Sequence, residues 1–369
     1  MEAPLKTAAN VLLIAVLLCA TPAQAEAPLF ASDTVMKLSI PLDFSELCRP
    51  RETEGCEFAP AALIYRDATG RNLSMPIEVK IRGGWRSLSR NCSVPLLWIR
   101  FDEEATVGTP FEGQSLLPLT THCGKGVSVE ALSRGTSRSD YEQFLLREFL
   151  ALRIYTQLTE HSLRTRLVRI AYSEPGRLGR ADLHFAFFTE HFDSMAKRTD
   201  SERLERGSFE ADRLDAQSAA RVALFQFMIG NTDWSIVRER NMVLLRNSAG
   251  KQLPVPYDFD MSGLVDADYA GPAPGLPIDR VRERYFLGLC QPGTDWEATF
   301  KLFQARQDVI LNLGDRLPGF SRASRRLTRN YLESFFDILG SADKRDQEIL
   351  GACKPWPPSP VDHTTPLGP

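Results

Sequence analysis

The sequence lacks most of the features that mark the common enzyme and binding-protein classes. It has only five histidines and no C-x-x-C pair, which argues against a zinc site. It contains no G-x-S-x-G, H-E-x-x-H, Walker or G-x-G-x-x-G motif. Its 44 basic and 47 acidic residues are well mixed and give a net charge of −3. Nucleic-acid binders usually carry a basic stripe, so the sequence predicts no nucleic-acid partner.

Long hydrophobic runs are also absent, apart from one near the start. Residues 11–20 are apolar, Lys6 precedes them, and Ala23, Gln24 and Ala25 resemble a signal-peptidase site. The run is shorter than the ~20 residues of a membrane helix. We therefore expect a signal peptide over residues 1–25, export to the periplasm or beyond the cell, and no transmembrane segment after cleavage. An N-terminal anchor and lipidation of Cys19 are the alternatives.

The remaining composition is that of an ordinary globular protein, and its cysteines fit export. Hydrophobic residues make up 43% and charged residues 25% of the 369 positions, about two to three domain lengths. Without Cys19, six cysteines remain, and an even number in an oxidising compartment indicates disulfides. Many pairings are possible. Our working hypothesis is Cys48–Cys56, Cys92–Cys123 and Cys290–Cys353; buried free thiols are the alternative.

The hydrophobic pattern predicts a β-rich half followed by a mainly helical half. Residues 75–82 alternate, with Ile77 and Val79 on one face and Lys80 and Arg82 on the other. Further strands are expected at 96–101, 167–172 and 183–189, and a helix at about 141–155. Helices are expected before Gly230, near 296–313 and near 324–339. Residues 242–245 and 253–257 form a predicted hairpin, and the proline-rich end of the chain is predicted to be disordered.

One stretch concentrates residues suited to chemistry. Asp233 follows a predicted helix in residues 230–233 (Gly-Asn-Thr-Asp), Asn241 begins a strand, and Asp258 and Asp260 follow the returning strand. A hairpin brings Asn241 close to the two later aspartates. Strand alternation would aim Asp258 and Asp260 the same way. Oxygen ligands of these types suit Mg²⁺ and metal-bound nucleotides. The alternative is ordinary turn chemistry.

These residues make the chain resemble the spore-coat CotH kinase-like family. The matching segments are residues 81–84 (Ile-Arg-Gly-Gly), 146–151 (Leu-Arg-Glu-Phe-Leu-Ala), Glu190, residues 230–233, Arg240 with Asn241, and residues 255–260 (Val-Pro-Tyr-Asp-Phe-Asp). It is most similar to an uncharacterised exported bacterial subgroup, which shares the motifs around Cys92 and Cys123. The resemblance implies an α+β, two-lobed atypical protein-kinase-like fold, with a β-rich N-terminal lobe and a mainly helical C-terminal lobe. It divides the chain into residues 1–25, 26–192, 193–345 and a tail, 346–369.

The resemblance also implies roles for particular residues. Asp233 would be the catalytic base, and Asn241 with Asp258 or Asp260 would bind Mg²⁺ or Mn²⁺. Many family members have a lysine pair where this chain has residues 94–97 (Val-Pro-Leu-Leu). The candidates for the missing phosphate-binding cation are Lys80, Arg82 and Arg100. Two glutamates, Glu148 and Glu190, are expected beside the nucleotide. Glu148 is expected to pair with Lys80 or Arg82.

The implied function is an exported kinase that binds Mg²⁺ and ATP and transfers phosphoryl to an unidentified protein or cell-envelope substrate. An exported protein meets little ATP, and the lysine pair is missing. A catalytically weak, pseudokinase-like binding or structural protein of the envelope is therefore the first alternative. A metal-dependent hydrolase is the second.

Overall fold

The N-terminal part of the chain is a closed seven-stranded barrel. The computed structural model describes residues 28–67, 69–124, 138–172 and 183–358. The strands are β1 (Met36–Ser39), β2 (Ala59–Arg66), β3 (Asn72–Ile81), β4 (Leu97–Phe101), β5 (Leu116–Thr120), β6 (Thr165–Ala171) and β7 (His184–Thr189). They follow the order β1-β2-β3-β4-β5-β7-β6, and β6 pairs in parallel with β1 to close the barrel.

Apolar side chains at alternate positions of the strands fill the interior of this barrel. Ile77, Val79 and Ile81 of β3 are buried, as the sequence pattern predicts, and they join Ile99 and Leu117 in one core. A short helix, α1 (Glu103–Thr106), lies between β4 and β5, and the long helix α2 (Arg138–Tyr155) precedes β6. Helix α2 packs against β6 and β7. It therefore lies on the outside of the barrel.

The C-terminal part combines a small sheet with helices around a second core. Strands β8 (Ser201–Arg203), β9 (Met242–Asn247) and β10 (Gln252–Pro256) form a sheet in the order β10-β9-β8. The helices are α3 (Phe192–Arg198), α4 (Ala216–Ile229), α5 (Trp296–Ala305), α6 (Gln307–Asn312), α7 (Arg322–Leu339) and α8 (Ala342–Arg345), with short 3-10 turns between some of them. Helix α4 is nearly all buried, so it forms the centre of this core.

The expected two-lobed kinase-like fold is wrong. The β-rich part is a closed barrel, because β6 returns beside β1 and leaves no open sheet edge between them. The part after residue 192 is not mainly helical, since helices occupy fewer than half of residues 193–345. Local periodicity identifies single strands and helices but not a parallel pairing between segments more than a hundred residues apart.

The predicted disulfide pairing is confirmed in full. Cys48 bonds to Cys56, Cys92 to Cys123 and Cys290 to Cys353. Disulfides are typical of oxidising compartments, which is consistent with an exported protein. Within residues 28–358, as far as they are described, no helix is long and apolar enough to cross a membrane.

The ends of the predicted divisions fall partly outside the described residues. The predicted signal peptide, residues 1–25, lies outside them, and so do residues 359–369 of the predicted tail. The tail begins with a π-helix, Asp346–Leu350. Beyond it, Cys353 forms its disulfide with Cys290, and Lys354 pairs with Leu289 in a short β-bridge. The division at residue 192 and the disorder of the tail stay predictions.

Candidate functional site

The loop that follows α4 holds Asp233 in place. Gly230 ends the helix in the left-handed conformation, with φ of 63°, as a helix C-terminal glycine commonly does. The Asn231 side chain then accepts a hydrogen bond from the Asp233 amide at 2.9 Å, and Trp234 donates its ring N–H to the Asn231 carbonyl at 3.0 Å. Both bonds are local, so residues 230–234 fold into one fixed turn.

Asp233 is held by two groups at the other end of the same loop. Arg240 forms an ion pair with it, and the Asn241 amide nitrogen donates to Asp233 Oδ2 at 3.0 Å and to its backbone carbonyl at 2.8 Å. Burial raises the pKa of Asp233, and the Arg240 guanidinium opposes that rise. A buried carboxylate with a raised pKa is a better proton acceptor than an exposed one.

The β9–β10 hairpin brings Asn241 and Asp258 to the same mouth, as the sequence predicts. Met242 pairs with Pro256, and the Tyr257 amide donates to the Asn241 carbonyl at 3.1 Å. Both Asn241 and Asp258 adopt left-handed backbone conformations, with φ of 49° and 61°. Such conformations cost energy in non-glycine residues and concentrate at functional sites. The β10 strand ends at Pro256, so strand alternation does not orient Asp258 and Asp260.

A buried arginine that sequence reasoning missed lies at the centre of the site. Arg86 Nη2 contacts Asp258 Oδ1 at 2.6 Å, Nη1 contacts Glu148 Oε2 at 3.2 Å, and Nε contacts Asp260 Oδ2 at 3.4 Å. The cation that pairs with Glu148 is therefore Arg86, not Lys80 or Arg82. Arg86 lies in a 3-10 turn, Trp85–Ser87, after the glycines that end β3. The signal was a basic residue two positions after a glycine pair, where strand periodicity no longer applies.

The three carboxylates and Arg86 determine one another's protonation. Burial would lower the pKa of Arg86, but the carboxylates of Asp260, Glu148 and Asp258 raise it well above its ordinary value. Burial also raises the pKa of Glu148, and it raises that of Asp260 to about 8 although Arg86 opposes both shifts. Tyr269 donates its hydroxyl to Asp260 Oδ2 at 3.1 Å. We infer that Asp260 carries a proton in part of the molecules at neutral pH.

The contribution of Asp260 to stability should consequently fall as the pH rises from about 4 to about 8. In this range the folded chain keeps a proton on Asp260 that the unfolded chain releases, since the ordinary value is 3.8. The part of the free energy of unfolding that comes from Asp260 therefore decreases as the pH rises. Between pH 5 and pH 8, the free energy of unfolding of an Asp260→Asn variant should decrease by about 1–3 kcal/mol less than that of the wild type. Urea unfolding at both pH values measures the two slopes.

The matched control for this comparison is Asp266→Asn. Asp266 also has a left-handed backbone and pairs with an arginine, Arg282, but its side chain is 38% exposed. This variant should keep the wild-type slope. An Asp260→Asn slope equal to that of the wild type would contradict the assignment.

The other predicted residues separate into two groups. Glu190 is buried and bound by Arg198 at 2.8 Å, and it lines a cleft together with Arg82, Glu148 and Asp258. Arg82 lies over the Trp98 ring at 5.1 Å. Burial lowers the pKa of Arg82, and the Asp258 carboxylate opposes that shift.

Lys80 and Arg100 contact other groups. Both lie over the Phe58 ring, at 5.6 and 3.6 Å, and Arg100 pairs with Glu78 at 3.0 Å. The described contacts do not join either residue to Asp233, Asn241 or Asp258. Of the three candidate cations, only Arg82 therefore belongs to the cleft.

The residues present fit a divalent cation only as part of a larger complex. In the described part of the chain, no group of three or more His, Cys, Asp or Glu side chains is arranged to hold a metal ion. However, Mg²⁺ is commonly bound through one or two carboxylates together with substrate phosphates. Asp258 is 37% exposed and contacts Arg86 through Oδ1, and Asn241 supplies an amide oxygen. These two residues would hold the cation if phosphates and water completed its ligands.

Comparison with known proteins gives no match from which a role for this site could be inferred. No protein-family model, no curated protein and no solved structure matches the chain. The resemblance to the CotH kinase-like family therefore stays a prediction from the motifs.

Proposed function

We propose that the protein binds a nucleoside triphosphate with a divalent cation at this cluster and transfers its terminal phosphoryl group to a hydroxyl of a protein or cell-envelope substrate. The observation that carries the proposal is the convergence of Asp233, Asn241 and Asp258 at one hairpin mouth. Phosphoryl transfer needs a base for the acceptor hydroxyl and oxygen ligands for the metal. The proposal concerns this cluster and does not depend on a kinase fold.

In this proposal Asp233 accepts the proton of the acceptor hydroxyl. The acceptor oxygen forms a bond to the terminal phosphorus, the bond to the bridging oxygen breaks, and the nucleoside diphosphate leaves. A bound divalent cation would offset the phosphate charge. Arg240 and Asn241 fix the Asp233 carboxylate, and Arg86 and Arg82 supply positive charge beside Asp258.

Nucleotide binding requires the cleft to open. The cavity beside Arg82 and Trp98 has a volume of about 40 Å³. Ligand pockets usually measure several hundred Å³. Arg86 also contacts Asp258 directly. We therefore expect Arg86 to release Asp258 when a nucleotide binds.

The test is calorimetric titration of ATP with Mg²⁺ or Mn²⁺ into the chain without residues 1–25. We expect metal-dependent binding that Asp258→Asn weakens about tenfold or more, or about 1.4 kcal/mol. Asp266→Asn, the matched control, should bind as the wild type does. Asp233→Asn should still bind ATP but should lose phosphoryl transfer. The absence of heat with either metal would overturn the proposal.

A second candidate is a binding protein without catalysis, and a specific observation favours it. Arg86 already contacts three carboxylates, and the adjoining cavity is small. A site whose acidic groups are neutralised from within needs no metal. This candidate predicts no heat with ATP and an unchanged fold in the Asp233→Asn variant, measured by circular dichroism and urea unfolding.

A further inference from the structure

A second cavity lies beside helix α2 and shares no lining residue with the cleft of the candidate site. Its volume is about 770 Å³, within the range of small-molecule pockets. Helix α2 contributes Glu148 to the candidate site, whereas Phe149, Leu150 and Arg153 line this cavity. The cavity is therefore a separate place in the molecule, and a ligand bound there is independent of the proposed function.

The walls of this cavity are mostly apolar. Phe149, Leu150 and Leu167 belong to the buried core, and Leu313 and Leu317 are half-buried and pack against it. Apolar surface at an open cavity gains free energy when a ligand removes it from water, by about 25 cal/mol per Å². A ligand with a hydrocarbon body fits such walls.

Charged side chains also line the cavity, and Arg153 of helix α2 is one of them. Arg153 is 27% exposed and pairs with Asp33 at 3.0 Å, but Asp33 is 75% exposed. An ion pair with so exposed a partner contributes little, so a ligand carboxylate can replace Asp33 at small cost. Arginine binds carboxylates in a two-pronged geometry.

The other charged residues at the cavity are compatible with the binding of one anion. Arg316 and Asp315 also line the cavity, and Asp315 is paired at 3.7 Å with Arg329, which lies outside the lining. Asp308 faces the same cavity. Once a ligand carboxylate takes the place of Asp33 on Arg153, Arg316 remains to balance Asp308, and Arg329 balances Asp315.

We propose that this cavity binds an amphipathic carboxylate, with the hydrocarbon chain against Leu150, Leu167 and Leu313 and the carboxylate on Arg153. Fatty acids and acylated molecules of the cell envelope share this chemistry. The hydrocarbon supplies most of the binding, and Arg153 selects the charge of the head group.

The experiment compares three probes of equal chain length by calorimetry: octanoate, 1-octanol and octylammonium. Octanoate should bind at least tenfold more tightly than either of the others. Equal affinity for octanoate and octanol would overturn the assignment of Arg153, and tighter binding of octylammonium would show that the acidic residues dominate. No binding of octanoate would overturn the proposal.

Three variants locate the binding. Arg153→Gln should weaken octanoate binding at least tenfold and leave octanol binding unchanged. Val309→Trp should weaken both probes, because Val309 is a 44% exposed residue of the lining and a larger side chain there occupies the cavity without disturbing the core. Arg71→Gln removes another Arg–Asp pair, in the turn between β2 and β3, and should change nothing. If Arg71→Gln weakens octanoate as much as Arg153→Gln, the site is not this cavity.

Discussion

Replacing Arg86 by methionine should lower the free energy of unfolding by about 3–5 kcal/mol, more than most single substitutions do. The side chain of Arg86 is 8% exposed, and its partners Glu148 and Asp260 are 7% and 10% exposed. Methionine keeps much of the volume but removes the one guanidinium that contacts Glu148, Asp258 and Asp260 together. An uncompensated buried charge is costly because water can no longer solvate it. Urea unfolding above about pH 8, where Asp260 is ionised, measures the loss.

Arg100→Met provides the matched control for this substitution. Arg100 also forms an arginine–carboxylate pair, with Glu78, but these side chains are 48% and 45% exposed. Exposed pairs contribute at most about 1 kcal/mol. Equal losses in the two variants would contradict the central position of Arg86.

The dependence of this loss on pH separates electrostatics from packing. Burial raises the pKa of Glu148 and of Asp260, so both take up protons as the pH falls. A neutral carboxyl group needs no cation, so the cost of losing Arg86 should be largest above about pH 8, where Asp260 is ionised, and should shrink as the pH falls below that value. A loss of packing alone would stay constant across this range.

Much of the candidate site could be predicted because its geometry is local. Gly230 ends a helix, Asn231 forms a turn with Asp233, and the hairpin register brings Asn241 opposite Asp258. Each of these relations spans fewer than twenty residues. Sequence spacing therefore contains the information needed to place them.

The parts that could not be predicted depend on contacts between distant segments. Arg86 contacts Asp258, which lies 172 residues later in the sequence. Strand β1 pairs with β6, although four other strands of the barrel lie between them in the sequence. Periodicity predicts which face of a strand is buried but not which strand lies beside it. The two-lobed fold is wrong for this reason, and sequence reasoning favours Lys80 over Arg86 because Lys80 belongs to a regular strand whereas Arg86 follows a turn.

The disulfide between Cys290 and Cys353 provides the second large prediction. It joins residues 63 positions apart, and removing such a crosslink should cost about 4 kcal/mol, because the unfolded chain regains the freedom of a long loop. In the folded chain the bond fixes the segment after α8 beside Leu289, where the Cys290 amide donates to the Lys354 carbonyl at 2.9 Å. A Cys290→Ser/Cys353→Ser double variant tests this by urea unfolding without reductant.

The disulfide between Cys48 and Cys56 is the natural comparison, since it closes a loop of only eight positions. The same loop-entropy argument gives about 2.5 kcal/mol for it. The Cys290/Cys353 variant should therefore unfold at a clearly lower urea concentration than Cys48→Ser/Cys56→Ser. If the order is reversed, native contacts around the short loop, and not the freedom of the unfolded chain, determine what each crosslink contributes. In either case the wild type treated with reductant should be at least as unstable as the less stable of the two variants, because reduction opens all three disulfide-closed loops together.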